Sequence, residues 1–364
     1  MAGVFFDGRY MRVDFPDGIT RFSLGLISLL GQQRDLTVLV DSAEQASLLP
    51  EHVKWHRVNP IVSPRELFLG RTLNQLGARL LFSPMQITGA IGRRFKLVLT
   101  LHDLIYYRHP EPPSHFPLWI RTVWRLFHKA YWPQRLLLDR ADAIVTVSNS
   151  VARQIKRARL TNRPTFVVPN AADAPAGLQV GESRHKSRDL VYMGSFTPYK
   201  DVETLVAGMA YLPEHRLVLL SPIAESRRIQ LQQLAEQLGA NVLFLQGVTD
   251  EQYEEWLSRA QALVTASRDE GFGIPLVEAM AHGTPVICSD IEIFREIGGS
   301  AALRFRPGDE RQFASCVIEL GIAKNWLRRS SQGIEQAKAF SWEASAAALN
   351  NLISNLLSEE RPHD

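Results

Sequence analysis

Residues 267–289 read SRDEGFGIPLVEAMAHGTPVICS, and this stretch decides how the rest of the chain is divided. The apolar run before it, residues 262–265, has the composition of a buried strand. That strand leads into a loop holding Glu270, Gly271, Phe272 and Gly273, whose glycines permit a sharp turn and a close approach of ligand to backbone amides. Pro275 opens a short helix over 275–282, proline being favoured at a helix start, and Gly283 ends it as a C-terminal glycine should. Glu278 is expected in the first turn, where the helix dipole favours a carboxylate. A second apolar run, 285–288, follows. Strand, glycine loop, helix start and strand form the repeating unit of a doubly wound α/β sheet, and the helix start is an anion site, above all for phosphate. One loop therefore offers amides to a diphosphate and two carboxylates, Glu270 and Glu278, to vicinal hydroxyls. Taken singly, each acid has a plainer reading: a helix-start charge for Glu278 and a solvated loop acid for Glu270.

Working outward, the same alternation covers almost the whole chain. Apolar runs at residues 4–6, 37–40, 80–82, 97–101, 143–147 and 165–168 read as strands, separated by amphipathic segments such as 21–30, 64–76 and 151–157. The pattern lapses over NAADAPAGLQVGESRHKSR, residues 170–188, which reads as an interdomain linker. It restarts with strands at 190–193, 217–220, 242–245, 262–265, 285–288 and 301–305, and helices at 202–211, 225–238, 250–258, 275–282 and 310–323. The organisation is thus α/β, with two Rossmann-like doubly wound domains facing across a cleft: residues 1–170, a linker 171–188, and residues 189–340. A final helix is expected within 341–364, with Ser341 as its N-cap and apolar residues at helical spacing. In such sheets ligands bind outside the carboxyl ends of the strands, so the site is expected between the domains.

Length and composition narrow the classes. At roughly 150 residues per domain, 364 residues make about two. With 45% hydrophobic and 22% charged residues, the chain is neither disordered, collagenous nor a coiled coil as a whole. No apolar run approaches the roughly 18 residues of a membrane span, and the opening MAGVFFDGRY lacks the pattern of a secretory signal. Cys288 and Cys316 are too few for a disulfide framework or a thiolate metal site, which points to a reducing, cytoplasmic setting. The net charge of +3 hides an asymmetry: residues 1–188 carry 26 basic and 14 acidic side chains, the remainder 15 and 24. Residues 106–138 concentrate Arg, Lys and Trp, which suits either an anionic membrane surface or a core helix with a solvated basic face. No nucleic-acid-binding module appears. There is also no G-x-G-x-x-G dinucleotide fingerprint and no phosphate-binding P-loop.

The run E-G-F-G-I-P-L-V-E-A-M-A-H-G-T-P-V-I, residues 270–287, resembles the E-x(7)-E signature of the retaining GT-B glycosyltransferases of family four nearly residue for residue. The likeness extends over most of the chain, and it implies that the final helix, within 341–364, crosses back onto the first domain. Asp7-Gly8-Arg9 with Gly18-Ile19-Thr20-Arg21 resembles the family's first strand and diphosphate loop. Thr100-Leu101-His102-Asp103-Leu104 resembles a strand end of its first domain, and Val147-Ser148-Asn149-Ser150 and Val168-Pro169-Asn170 match later landmarks. Residues 193–201, MGSFTPYKD, resemble its phosphate-binding turn, and Gln246-Gly247-Val248-Thr249-Asp250 the turn near the nucleotide base. The chain departs from the family where a second glycine often stands (Thr20) and where arginine occurs (Tyr199, Ser195), which leaves Lys200 to neutralise more of the diphosphate.

What the resemblance implies is a retaining transfer of a hexose, mannose as the first expectation with GDP as its carrier, from a nucleotide diphosphate sugar to a glycan or lipid-linked acceptor. Catalytic roles fall to His102 and Glu270. Donor binding falls to Gly18, Ser195, Lys200, Val248, Gly271, Phe272, Gly273, Ile274 and Glu278, with Glu278 on the ribose and Glu270 on the donor sugar. Lys200 is expected to start a helix, an unfavourable place for a cation unless an anion binds there. Asp103 is expected to brace its loop. No cofactor is implied, and no metal: the D-x-D triplet of the other large glycosyltransferase fold is absent, so amides and Lys200 are expected to meet the leaving charge. The alternatives are a nucleotide-sugar epimerase or phosphorylase of the same fold, or a non-catalytic sugar-nucleotide-binding protein. An anionic membrane surface is a further expected partner, with the enzyme peripheral at the inner face.

Overall fold

A computed structural model describes residues 3–14, 17–111, 117–173, 175 and 182–358. The chain falls into two compact units, Met1–Ala171 together with Trp342–Asp364, and Ala172–Ser341.

The first unit is built on a seven-stranded parallel sheet of β1 (Gly3–Asp7), β2 (Leu36–Val40), β3 (Lys54–Arg57), β4 (Ala78–Ser83), β5 (Lys96–Leu101), β6 (Ala143–Thr146) and β7 (Thr165–Val167). Their spatial order is β3-β2-β1-β4-β5-β6-β7. Five of these strands are nearly continuous apolar runs because helices cover both faces. β7, three residues long, is only partly buried, and β3 departs further. Its four residues, KWHR, are all exposed, and only parallel pairing with β2 (Val38 opposite Trp55) makes it a strand. No hydrophobic pattern announces such an edge, so the sequence does not predict it. The expected helix over 64–76 is likewise two pieces, a 3-10 turn Pro64–Phe68 and a helix Leu69–Gln75.

The second unit repeats the plan with six parallel strands, β8 (Asp189–Tyr192), β9 (Arg216–Leu219), β10 (Val242–Phe244), β11 (Ala262–Thr265), β12 (Val286–Ser289) and β13 (Leu303–Phe305), in the order β10-β9-β8-β11-β12-β13. Its core gathers Leu205, Leu217, Val264, Ile287, Phe305, Phe313 and Trp326, with the Trp326 indole N–H satisfied by the Gln261 carbonyl at 2.8 Å. The expected helix over 310–323 stops at Leu320, and a second helix, Ala323–Ala337, carries Trp326 into this core. The expected linker is also shorter than 171–188. Residues 174 and 176–181 lie outside the described residues, but Glu182–Lys186 forms a 3-10 turn. Within it, Arg184 donates to the His282 carbonyl at 3.1 Å and to Thr284 Oγ1 at 2.6 Å. Burial pulls that guanidinium down to about 10. The turn belongs to the second unit because an arginine sunk in it satisfies that unit's backbone.

The last described helix, Trp342–Ser358, packs on the first unit. It buries Leu349, Leu352, Ile353 and Leu356, lays the Trp342 ring against Gly25, and adds polar contacts: Arg34 Nε donates to Asn350 Oδ1 at 2.5 Å and Ser345 Oγ to the Pro169 carbonyl at 2.8 Å. Residues 359–364 lie outside the described residues.

Both sheets reverse their winding between an inner pair of strands, β1 and β4 in the first unit, β8 and β11 in the second. Loops leaving the carboxyl ends of such a pair diverge to opposite faces and leave a crevice. That is where the fold makes room for a ligand.

Candidate active site

In the second unit, β8 delivers residues 193–200 to the reversal point and β11 delivers 266–273. Lys200 ends a 3-10 turn, Pro198–Lys200, two residues ahead of helix Val202–Met209. It therefore does not start a helix as the sequence suggested. A carboxylate, rather than a dipole, sets its surroundings: Lys200 Nζ lies 2.5 Å from Glu270 Oε1, with 15% and 14% of the two side chains exposed. Glu270 Oε1 also accepts from Ser267 Oγ at 2.8 Å. Glu270 is thus engaged on two sides, unlike a solvated loop acid. The Tyr199 ring, standing where the family often has arginine, has its centroid 5.4 Å from Lys200 Nζ, so an aromatic face supports the ammonium there.

The loop then turns at Gly273, whose φ of +95° is left-handed. A Cβ at that position would meet Phe294 Cε1 at 2.8 Å, so glycine is required on two counts. Phe272 is buried edge-on to Phe340, with ring centroids 5.5 Å apart, which pins the loop from below. Gly271 is buried beside it. Helix Ile274–Ala281 follows. It closes with a Schellman arrangement, Thr284 N–H to Ala279 C=O at 2.8 Å and Gly283 N–H to Met280 C=O at 3.0 Å, with Gly283 at φ +66°.

Glu278 is the fifth residue of this helix, and the first turn holds no acid. With Pro275 as the first helical residue Glu278 falls in the first turn, but the helix begins one residue earlier, at Ile274, and Glu278 lies just past that turn. A dipole effect confined to the first turn does not account for it. What holds the carboxylate is Tyr253, whose hydroxyl donates to Glu278 Oε2 at 2.9 Å. Tyr253 sits in helix Asp250–Arg259, which a Thr249/Gln252 capping box starts. The T-x-x-Q spacing of residues 249–252 is a local signal for that cap, whereas nothing local announces the aim of Tyr253.

The remaining donor-side residues of this unit lie at neighbouring strand ends. Ser195 offers its carbonyl to Tyr192 OH at 2.5 Å and its hydroxyl to Thr197 Oγ1 at 3.1 Å. Burial, with Glu270 nearby, pushes the Tyr192 phenol up and keeps it a donor. Val248 follows Gln246 and Gly247, at φ +60° and +112°, in the turn after β10. Gln246, after β10, and Asp201, after the turn that follows β8, are non-glycine residues in left-handed conformations. The Asp201 carboxylate takes Arg268 Nε at 3.0 Å and Nη2 at 2.9 Å.

His102 and Gly18 belong to the first unit. His102 follows β5; its Nε2 lies 2.7 Å from the Pro84 carbonyl and therefore carries the proton. Its ring stands edge-on to Phe22 at 5.3 Å, and burial lowers its pKa below the ordinary 6.5, so the ring is neutral with Nδ1 as acceptor. Asp103 braces the loop, its Oδ1 accepting from the Ile105 amide at 2.9 Å. Gly18 opens helix Gly18–Gln33, but the carboxylate of Asp17 caps it, accepting from the Thr20 amide at 2.9 Å. Asp17 also lies 3.4 Å from Arg12 Nε.

Arg9, in the stretch resembling the diphosphate loop, is buried between Asp7 (2.8 Å) and Glu66 (2.6 Å). Burial opposes its charge, but the two carboxylates outweigh that and push its pKa up. It is a fixed scaffold for the ends of β1 and β3.

Two Rossmann-like units of parallel strands, each with a crevice at its reversal point, define the GT-B fold. A sucrose-phosphate synthase from Thermosynechococcus elongatus shares it at a TM-score of 0.79 and 19% identity, covering 99% of this chain and all of that one. Residues 18–174 match the family described as Glycosyltransferase Family 4, and residues 177–329 match Glycosyl transferases group 1. The chain belongs to the group 1 glycosyltransferases and is a glycosyltransferase. Among curated relatives, an O-antigen chain mannosyltransferase B of Escherichia coli is 27% identical over 259 residues, 68% of this chain and 67% of that protein. The O-antigen chain mannosyltransferase RfbU of Salmonella typhimurium is 28% identical over 222 residues, 60% of this chain and only 59% of that protein. Among the described residues, no helix is long and apolar enough to cross a membrane.

Proposed function

We propose that this glycosyltransferase moves a hexose, mannose carried by GDP in the first instance, from a nucleotide diphosphate sugar to a hydroxyl of a glycan or lipid-linked acceptor, with retention of configuration and without a metal. The observation that carries the reading is the contact between Lys200 and Glu270 at the reversal point, with Glu278 on the helix that follows. Breaking the anomeric bond builds negative charge on the diphosphate. Lys200 and the amides around Gly271, Phe272, Gly273 and Ile274 meet that charge in a partly closed site, where fixed donors act most strongly. Glu278, oriented by Tyr253, accepts from the ribose hydroxyls, and Glu270 from those of the sugar. His102 keeps a neutral ring toward the transferred sugar. No residue is assigned as a covalent nucleophile: the leaving phosphate takes the acceptor's proton as the new bond forms on the same face. The names of the mannosyltransferase relatives support the choice of sugar. The test is transfer from GDP-mannose in excess EDTA, with the anomeric configuration of the product read by NMR. Activity restored only by manganese or magnesium overturns the metal-independent reading, and an inverted product overturns retention.

The acceptor side is proposed to work at an anionic membrane surface. Supporting this are Trp132 and Leu136, each 63% exposed, and exposed Val123 and Leu126, all close in sequence to exposed Arg125 and Lys129. They lie on helices Leu118–Phe127 and Trp132–Leu138 or between them.

A further inference from the structure

The Lys200 ammonium and the Glu270 carboxylate hold each other from two separate elements, the turn after β8 and the loop after β11. Two more links join those elements. The Arg268 amide donates to the Tyr199 carbonyl at 2.8 Å, and the Arg268 guanidinium grips Asp201. Asp201 stands at the N-cap of helix Val202–Met209, where an aspartate side chain commonly accepts from helix amides, yet it makes no such bond. Its carboxylate is turned to Arg268, and its backbone sits at φ +49°, ψ +44°. The Lys200–Glu270 contact is therefore held by its supports and is not a chance meeting of two long side chains on a surface.

A diphosphate that takes Lys200 must take it from Glu270. We propose that Glu270 competes with the diphosphate for Lys200 and thereby distinguishes an intact sugar nucleotide from a free nucleoside diphosphate. This rests on the donor site proposed above. With the intact donor, sugar hydroxyls donate to Glu270 as Lys200 turns to the phosphates, and both charges stay satisfied. With the nucleoside diphosphate alone, nothing replaces Lys200 at Glu270. A little-exposed carboxylate is then left without its cation, which is costly. The free nucleotide therefore binds less tightly than its phosphates alone would allow, and the re-forming Lys200–Glu270 pair helps to expel it once the sugar has left.

The experiment is calorimetric titration of the full chain with GDP, UDP and ADP and with GDP-mannose, UDP-glucose and ADP-glucose, for wild type, Glu270→Gln, Glu270→Ala, Lys200→Ala and the Lys200→Ala/Glu270→Gln double variant. Unliganded melting curves confirm that each is folded. For whichever nucleotide wild type binds, Glu270→Gln is expected to tighten the free diphosphate about tenfold, corresponding to about 1.4 kcal/mol, without tightening the sugar nucleotide. In the Lys200→Ala background the same substitution is expected to change nothing. Diphosphate affinity that is unchanged or weaker in both Glu270 variants, equal tightening of donor and diphosphate, or tightening that persists without Lys200 overturns the proposal. If wild type binds no nucleotide or sugar nucleotide, the donor-site reading itself fails. If wild type binds but Glu270→Gln does not tighten the diphosphate, only the competition is wrong.

Discussion

At the scale of single residues, Glu278 and His102 make different demands. Glu278 has a hydroxyl partner on a neighbouring helix and a proposed place on the ribose. Glu278→Gln is expected to weaken nucleotide binding by about 1.5–3 kcal/mol, the worth of hydrogen bonds to a charged acceptor; calorimetry checks it, and unchanged affinity removes the ribose assignment. Tyr253→Phe is expected to show a smaller loss in the same direction. His102 gives a pH dependence. Burial holds its folded pKa below 6.5, so the folded state prefers the neutral ring while the unfolded chain takes a proton near that value. Its contribution to stability is complete above about pH 6.5 and is lost as the pH falls from there toward the lower folded pKa. Melting curves between pH 7.5 and 5 should show this decline, and His102→Gln should flatten part of it. Arg9 is a test of scaffold against ligand. Arg9→Met leaves Asp7 buried beside Glu66 without their cation and is expected to cost about 3–5 kcal/mol in denaturant unfolding.

At the scale of elements, the glycine loop and its helix were the most legible part of the chain. Glycine, proline and glycine at positions 273, 275 and 283 mark a turn, a helix start and a helix end by backbone chemistry alone, independent of tertiary contacts. Gly273→Ala combines a left-handed backbone with a clash against the Phe294 ring. It is expected to lose about 1–3 kcal/mol of stability and to weaken nucleotide binding with it; a variant as stable as wild type contradicts the strain argument. Less legible were features made by partners distant in sequence. The exposed strand β3 exists through its pairing with β2. Lys200 looked like a helix-start cation until β11 brought Glu270 to it, and Tyr253 finds Glu278 across 25 residues. No local pattern encodes these meetings. The last helix was legible as an amphipathic segment, and the family resemblance assigned its apolar side to the first unit, where it packs. Leu349→Ala, which empties a fully buried position there, is expected to cost about 2–5 kcal/mol.

At the scale of the whole molecule, the chain is two sheets of one design with opposite charge balance. The winding order puts the donor residues of the second unit at one end of its sheet, and the strand ends supply Lys200 and Glu270 from β8 and β11. The basic excess lies within residues 1–188, the region that also carries Trp132 and Leu136. Attraction of about 1 kcal/mol per basic residue near an anionic surface makes reversible adsorption a quantitative expectation. Co-sedimentation with phosphatidylglycerol vesicles should rise with anionic lipid content and fall with salt. Binding indifferent to lipid charge would leave a soluble acceptor as the better assignment.

The central claim is that the crevice at β8 and β11 holds the nucleotide diphosphate of the donor on Lys200 and Glu278. A thermal-shift titration of the full chain with GDP-mannose, UDP-glucose and ADP-glucose tests it most directly, run in parallel on Lys200→Ala and Glu278→Gln. One sugar nucleotide is expected to stabilise wild type by about 2.7 kcal/mol at 100 times its dissociation constant, and both variants are expected to need substantially more ligand for the same shift. No shift with any of the three, or equal shifts in wild type and both variants, would contradict it.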